Sequence, residues 1–176
     1  MDRMSESESR ILNPDSSPTV DWDTWEPNMR ANLVFIVCDR RVLLIHKKTG
    51  IGAGKINGPG GKLEDGESAL EAAIREVEEE LHITPHQPEQ MGVLRFAFRD
   101  GLHLHCTVFR SSGFDGEPAE TREAKPEWFD FDAIPYDRMW ADDVHWLPGM
   151  LEGRRFEAWF EFDDDSMLTH RIEWIG

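Results

Sequence analysis

A chain of 176 residues with 39% apolar side chains, ten Phe and seven Trp can build one globular core and carry an appended segment. Its formal net charge of −16 argues against broad nucleic-acid binding, because affinity for a phosphate backbone is largely cationic neutralisation. No apolar run approaches the roughly 20 residues needed to cross a membrane, and the polar, acidic start carries no secretory signal.

These features predict a cytoplasmic protein, with a monomer favoured. Cys38 and Cys106 are far apart in apparent strands and are expected as two free, half-buried thiols rather than a disulfide. Residues 1–28 read as an acidic, flexible extension, with Ser and Glu dominant early and Pro14 and Pro18 interrupting regular structure. Trp22 and Trp25 lie in its second half, where one docked aromatic is expected. Residues 29–176 form the folded domain.

Residues 33–38 predict a buried strand, Asp39-Arg40-Arg41 a turn, and 42–46 the returning strand. A glycine-rich stretch, 50–55, follows as a flexible loop; it lacks the strand–loop–helix context of a P-loop. Gly60 and Gly61 then lead into a helix on which Leu70, Ala73 or Ile74, Val77 and Leu81 recur every three or four residues as an apolar stripe. Glu76, Glu79 and Glu80 stand at i, i+3 and i+4, so their carboxylates share a face and repel one another. A divalent cation would relieve that repulsion, and a set of hard oxygen ligands suits Mg2+, with Mn2+ as an alternative. Arg75 lies inside the cluster, where it can hold a carboxylate in fixed geometry.

Pro85 and Pro88 mark a connection. Residues 91–98 and 103–110 alternate apolar and polar positions around Arg99-Asp100-Gly101, as a hairpin does. His103 and His105 share a face, and cross-strand pairing explains them better than an incomplete zinc set. Residues 111–125 read as an acidic loop, 126–131 as a short strand, and 142–151 as a short helix limited by Pro148 and Gly149. Residues 154–162 and 167–174 suggest a closing hairpin whose turn holds three consecutive aspartates, which lack the spacing of a calcium loop. The sum is an α+β fold, a mixed sheet with two helices packed on it.

The run Gly61, five residues, Glu67, seven residues, Arg75-Glu76-Val77-Glu78-Glu79-Glu80, one residue, His82-Ile83 resembles the Nudix box, with His82 where the family has glycine. That glycine ends the helix in the left-handed conformation, which His tolerates better than most residues. The resemblance implies a metal-dependent hydrolase of diphosphate linkages on a Nudix fold. It assigns metal ligation to the Gly60 carbonyl, Glu76, Glu79, Glu80 and Glu123, with Glu80 a candidate base and Arg75 orienting the carboxylates. Glu67 is expected to support the loop–helix turn.

Outside the box, residues 41–58 and 128–148 resemble the oxidised purine nucleoside triphosphate hydrolase subgroup. This implies a small nucleotide substrate read by Asn57, Asp142 and Asp143, with Trp140 stacking on the base and Phe96 as a wall. Asn32 and Lys47 would contribute from the first two strands. Asn57 offers a donor and an acceptor, and two adjacent buried aspartates favour sharing one proton. Capping of the following helix is the plainer reading of the aspartates alone. Ile56, Ile51 and Pro59 replace aromatics of the subgroup. Competing readings are a Nudix hydrolase of ADP-ribose, a dinucleotide or an RNA 5′ end, and a non-catalytic nucleotide-binding regulator.

Overall fold

The structure is a computed structural model that describes residues 20–176; expectations for residues 1–19 lie outside it. Ten strands and two α-helices form its regular elements. Strand β1 (Met29–Cys38) turns at Asp39 and Arg40, both at positive φ, into β2 (Arg41–Lys47). Two central residues at positive φ match the twist of the strands they join. β3 (Ile56–Asn57) pairs with β2 directly after the 50–55 stretch expected to be loop. Helix α1 spans Ala69–Leu81 and is followed by β4 (Ile83–Pro85), β5 (Glu89–Phe98), β6 (His103–Ser111), β7 (Phe114–Gly116) and β8 (Ala124–Asp130). Helix α2 (Asp143–Leu151) and the hairpin β9 (Arg155–Asp163) and β10 (Ser166–Ile175) complete the chain.

The main sheet runs β10-β9-β5-β6-β1-β2-β3, with β8 also paired to β2. It is mixed, as expected: β1 runs parallel to β6 and β5 parallel to β9, while the hairpins are antiparallel. The small β4–β7 pair lies in segments expected to be irregular.

Strand alternation sends side chains into two cores. Val34 and Ile36 join Leu43, Ile45, Ala73, Val77, Leu81 and Phe109 beneath α1. Phe35 and Val37 join Val108, Trp146, Leu147, Met150, Phe156 and Phe160 beneath α2. The helices therefore cover opposite faces of one sheet. Leu70 departs from the expected stripe: it is 43% exposed, and the buried line of α1 begins at Ala72 and Ala73 and includes Glu80.

Helix α2 runs through Pro148 rather than stopping there. The side chains just beyond the proline, Met150 and Leu151, are buried in the core and hold the last turn. Gly149 is obligatory, because a Cβ would lie 2.4 Å from the Trp174 ring.

Residues 20–28 are tied to the β5–β6 turn. Asn28 donates to the Gly101 carbonyl (2.8 Å) and accepts from the His103 N–H (2.8 Å). Trp25 packs against His103 at 5.8 Å and against Trp22 at 5.4 Å. Cys38 is half-buried and Cys106 fully buried, and both are free.

Helix α1 begins with a capping box between Ser68 and Glu71 and ends at His82, which adopts φ 62°, ψ 33°. This is the left-handed cap expected there, and its cost to a β-carbon is about 1 kcal/mol or more. His82 is solvent-exposed. His82→Gly should therefore stabilise the protein by about 0.5–1 kcal/mol, measured by urea unfolding. An unchanged or lower midpoint would refute the strain assigned to this cap.

Candidate active site

The polar centre lies where residues 58–63 run beside β1 in place of a strand. Asn32 donates to the Gly61 carbonyl (2.9 Å), Val34 to that of Pro59 (2.8 Å) and Leu63 to that of Arg30 (3.0 Å). The approach leaves no room for side chains. A Cβ at Gly60, whose φ is +152°, would sit 2.1 Å from the Asn32 carbonyl oxygen, and one at Gly61 would sit 2.4 Å from the Glu76 carboxyl carbon. Against this loop α1 presents its acids, and the Gly60 N–H donates to Glu80 Oε1 at 2.8 Å.

Glu76, Glu80 and Glu123 offer carboxylate oxygens that all lie within 4.8 Å of one another. Among the described residues they form the one group of three or more metal-type ligands. Glu79 does not join them. It is exposed and faces Arg75 Nη1 at 3.3 Å. Arg75 is the hub of the outer layer: it donates to both carboxylate oxygens of Glu67, to Glu76 (3.1 Å), to Glu79 and to the Lys62 carbonyl (3.1 Å). The bond from Arg75 first, and the Glu64 N–H second, hold the Glu67 carboxyl down at about 2. Glu67 thus locks the turn into α1, as its place in the sequence suggested.

Glu80 behaves in the opposite way. Burial pushes its carboxyl up to about 8, against the Gly60 hydrogen bond and the Lys47 charge, with Glu76 and Glu123 adding repulsion. Burial also raises Glu76 against Arg75. Three hard oxygen donors gathered this closely, two of them with ionisation suppressed by burial, fit a divalent ion.

Glu123 reaches this group from the other side of the cleft. Thr121 Oγ1 donates to the Glu80 carbonyl (2.8 Å), the Glu123 N–H bonds Thr121 Oγ1 (3.2 Å), and the Lys48 N–H bonds the Glu123 carbonyl (2.9 Å). Lys48 Nζ also meets Glu120 at 2.6 Å. Thr121 and Lys48 escaped the sequence reading, because no local spacing marks residues that act by closing a loop.

The acids open into a cleft of roughly 320 Å³. Its lining includes Gly60, Glu76, Glu80 and Glu123 together with Asn32, Lys47, Asn57, Phe96, Trp140, Asp142 and Asp143. Leu94, Leu104 and Cys106 contribute an apolar floor that was not anticipated. Asn57 Oδ1 accepts from the Gly58 N–H at 2.9 Å.

Asp142 and Asp143 are buried, and the Asp142 side chain makes no capping bond to α2. Its Oδ2 instead accepts from Trp146 Nε1 at 2.8 Å, while Asp142 Oδ1 and Asp143 Oδ2 have no partner. Burial raises both carboxyls, and the adjacent Asp142 charge raises Asp143 further. The pair therefore favours sharing one proton over ionising twice. Ile51 lines the cleft, whereas Ile56 is buried in the core beneath α2. His103 faces Trp25 and the Glu26 carbonyl, away from any metal cluster.

Residues 27–150 match the NUDIX domain. The chain belongs to the Nudix family. Nudix hydrolases act on small-molecule nucleotides and generally use a divalent metal, for which the acidic cluster is the candidate place. This Nudix chain is 43% identical to the oxidized purine nucleoside triphosphate hydrolase of Danio rerio, covering 80% of its own length and 92% of that protein. It is 36% identical to the enzyme of the same name from Mus musculus, with 80% and 91% covered. Among solved structures, the MutT protein of Bacillus halodurans superposes with a TM-score of 0.73 at 30% identity, over 82% of this chain and 97% of that one. Among the described residues no helix is long and apolar enough to cross a membrane.

A carboxyl whose folded value is raised holds its proton longer in the fold than in the unfolded chain, so stability is lost as pH rises toward the folded value. For Glu80 that window runs from the ordinary 4.5 to about 8. In chelator-containing buffer the urea midpoint should fall across this range, and Glu80→Gln should flatten the upper part. The aspartate pair contributes in the same direction and is untouched by that variant. An identical fall in Glu80→Gln would remove Glu80 as its source.

Proposed function

We propose that this protein is a nucleotide-pool sanitising pyrophosphohydrolase. It would convert oxidised purine nucleoside triphosphates, such as 8-oxo-dGTP or 2-hydroxy-dATP, to the monophosphate and pyrophosphate. The observation that carries the reading is one cleft lined both by an acidic cluster and by Trp140, Asn57, Asn32, Asp142 and Asp143, the last three with buried polar atoms that lack a partner. The similarity to enzymes named for oxidised purine triphosphates supports the choice of base.

Glu76, Glu80 and Glu123 would hold the divalent ion, Mg2+ by their chemistry, with the Gly60 carbonyl beside them and Glu79 at the margin. When bound, such an ion neutralises phosphate oxygens and acidifies water. The chain's own groups do the rest. Glu80, fixed by the Gly60 N–H, is placed to hold or accept a proton, and Arg75 keeps Glu76 and Glu67 oriented. Lys47 supplies positive charge in the cleft for the phosphates or the sugar. Trp140 and Phe96 offer flat apolar surfaces to the base, and Asn57, Asn32 and the Asp142–Asp143 pair offer donors and acceptors to its edge. With one proton shared between them, the pair would present one donor and one acceptor rather than two repelling charges.

Turnover of 8-oxo-dGTP and 2-hydroxy-dATP should exceed that of dGTP and dATP in steady-state kcat/KM. Equal efficiency for all four would sink the sanitising role. Glu80→Gln should lower kcat by about 100-fold or more while leaving nucleotide binding measurable by calorimetry. A near wild-type rate in that variant would break the assignment of the acidic cluster.

A further inference from the structure

The surroundings of Trp140 contain a charge that the proposed reaction does not use. Phe98 and Phe162 meet the indole at near-right angles, with centroids 5.9 and 5.6 Å away, and Gly52 packs so closely on its Nε1 edge that a Cβ there would come within 2.8 Å. These contacts hold the ring in place, and Trp140 lines the cleft. Over the ring stands Lys55 Nζ, 4.9 Å from the centroid, and Lys55 does not line the cleft. Its ammonium is anchored by Asp165 Oδ2 at 3.2 Å, from the turn between β9 and β10. The loop that delivers it is closed at its base by bonds from the Lys47 N–H to the Lys55 carbonyl (3.0 Å) and from the Gly54 N–H to the Lys47 carbonyl (2.9 Å).

The geometry points to Lys55 as a positioning residue that selects electron-rich bases through Trp140, with Asp165 setting how strongly it acts. A cation over an indole draws π density toward itself and leaves the opposite face electron-poor. Stacking between rings follows their charge distributions, so an electron-poor face gains most from an electron-rich partner. Oxidation of guanine at C8 adds oxygen and an N–H in conjugation with the ring, which makes 8-oxoguanine a better π donor than guanine. A cation–indole–purine sandwich therefore discriminates between the two bases without touching the oxidised atom. Asp165 partly neutralises the ammonium and so weakens its pull on the indole.

This inference rests on the purine reading of the cleft, and its test separates the two. Calorimetric titration of wild-type protein with 8-oxo-dGMP and dGMP tests the reading itself. If 8-oxo-dGMP does not bind more tightly, the purine reading fails and this inference falls with it. If it does, Lys55→Met, which keeps the stem and removes the charge, should weaken 8-oxo-dGMP about three- to fivefold and dGMP less, and Lys55→Arg should restore the preference. Asp165→Asn, which frees the ammonium from its counter-ion, should move the preference the other way. A loop that acts only as a mechanical latch would suffer from both changes. Loss of affinity in Asp165→Asn matching that in Lys55→Met, equal losses for the two nucleotides, or no change in Lys55→Met would each overturn the inference while leaving the wild-type preference intact.

Discussion

One hydrogen bond organises this molecule: the peptide N–H of Gly60 donates to a carboxylate that is almost wholly buried. It requires the 58–63 backbone to lie flat between β1 and α1, and it requires two successive residues without side chains at the point of contact. Once the loop is so placed, the acidic face of α1 is driven toward the sheet rather than into water. Glu80 is then surrounded by protein, and the remaining architecture deals with the consequences. Arg75 restrains the neighbouring acids, Thr121 brings the segment bearing Glu123 across the cleft, and Lys47 contributes charge from β2. Such a concentration of acids is the candidate place for the divalent metal that Nudix hydrolases generally use.

How much of this was visible beforehand depended on whether the signal was local. Glu67, Arg75, Glu76 and Glu80 stood out because a helix converts sequence spacing into a shared face, and the turn before it converts glycines into close approach. The same periodicity could not separate Glu79 from Glu80. Both lie on the acidic side, and what distinguishes them is which one meets the Gly60 loop and which one meets Arg75. Thr121 and Lys48 carried no mark, since their roles exist only after chain segments some 40 and 70 residues apart are brought together.

The fold shows the same division. Long hairpins such as β5–β6 and β9–β10 alternate clearly and were legible, whereas β3, with two residues, and the three-residue β4 and β7 are too short to show a period. The first part of β1 was hidden because Arg30 and Asn32 interrupt its apolar run. The end of α2 was hidden because tertiary packing of Met150 and Leu151 outweighs the missing N–H of Pro148. Asp142 and Asp143 taken alone read as helix caps, and only the resemblance assigned them to a base. In the structure Asp142 accepts from the indole N–H of Trp146 and both line the cleft.

The alternation of β1 has a further consequence. Its even-numbered side chains from Val34 onward serve the layer beneath α1, and Leu33, Phe35 and Val37 serve the layer that carries Trp146. One strand thus acts as a partition between two workshops. The strand's backbone is held by the parallel pairing with β6 over eight residue pairs, and the two layers meet again in the cleft. The packing of one core layer can therefore change while that of the other stays still, a form of modularity achieved by a two-residue repeat rather than by a second domain.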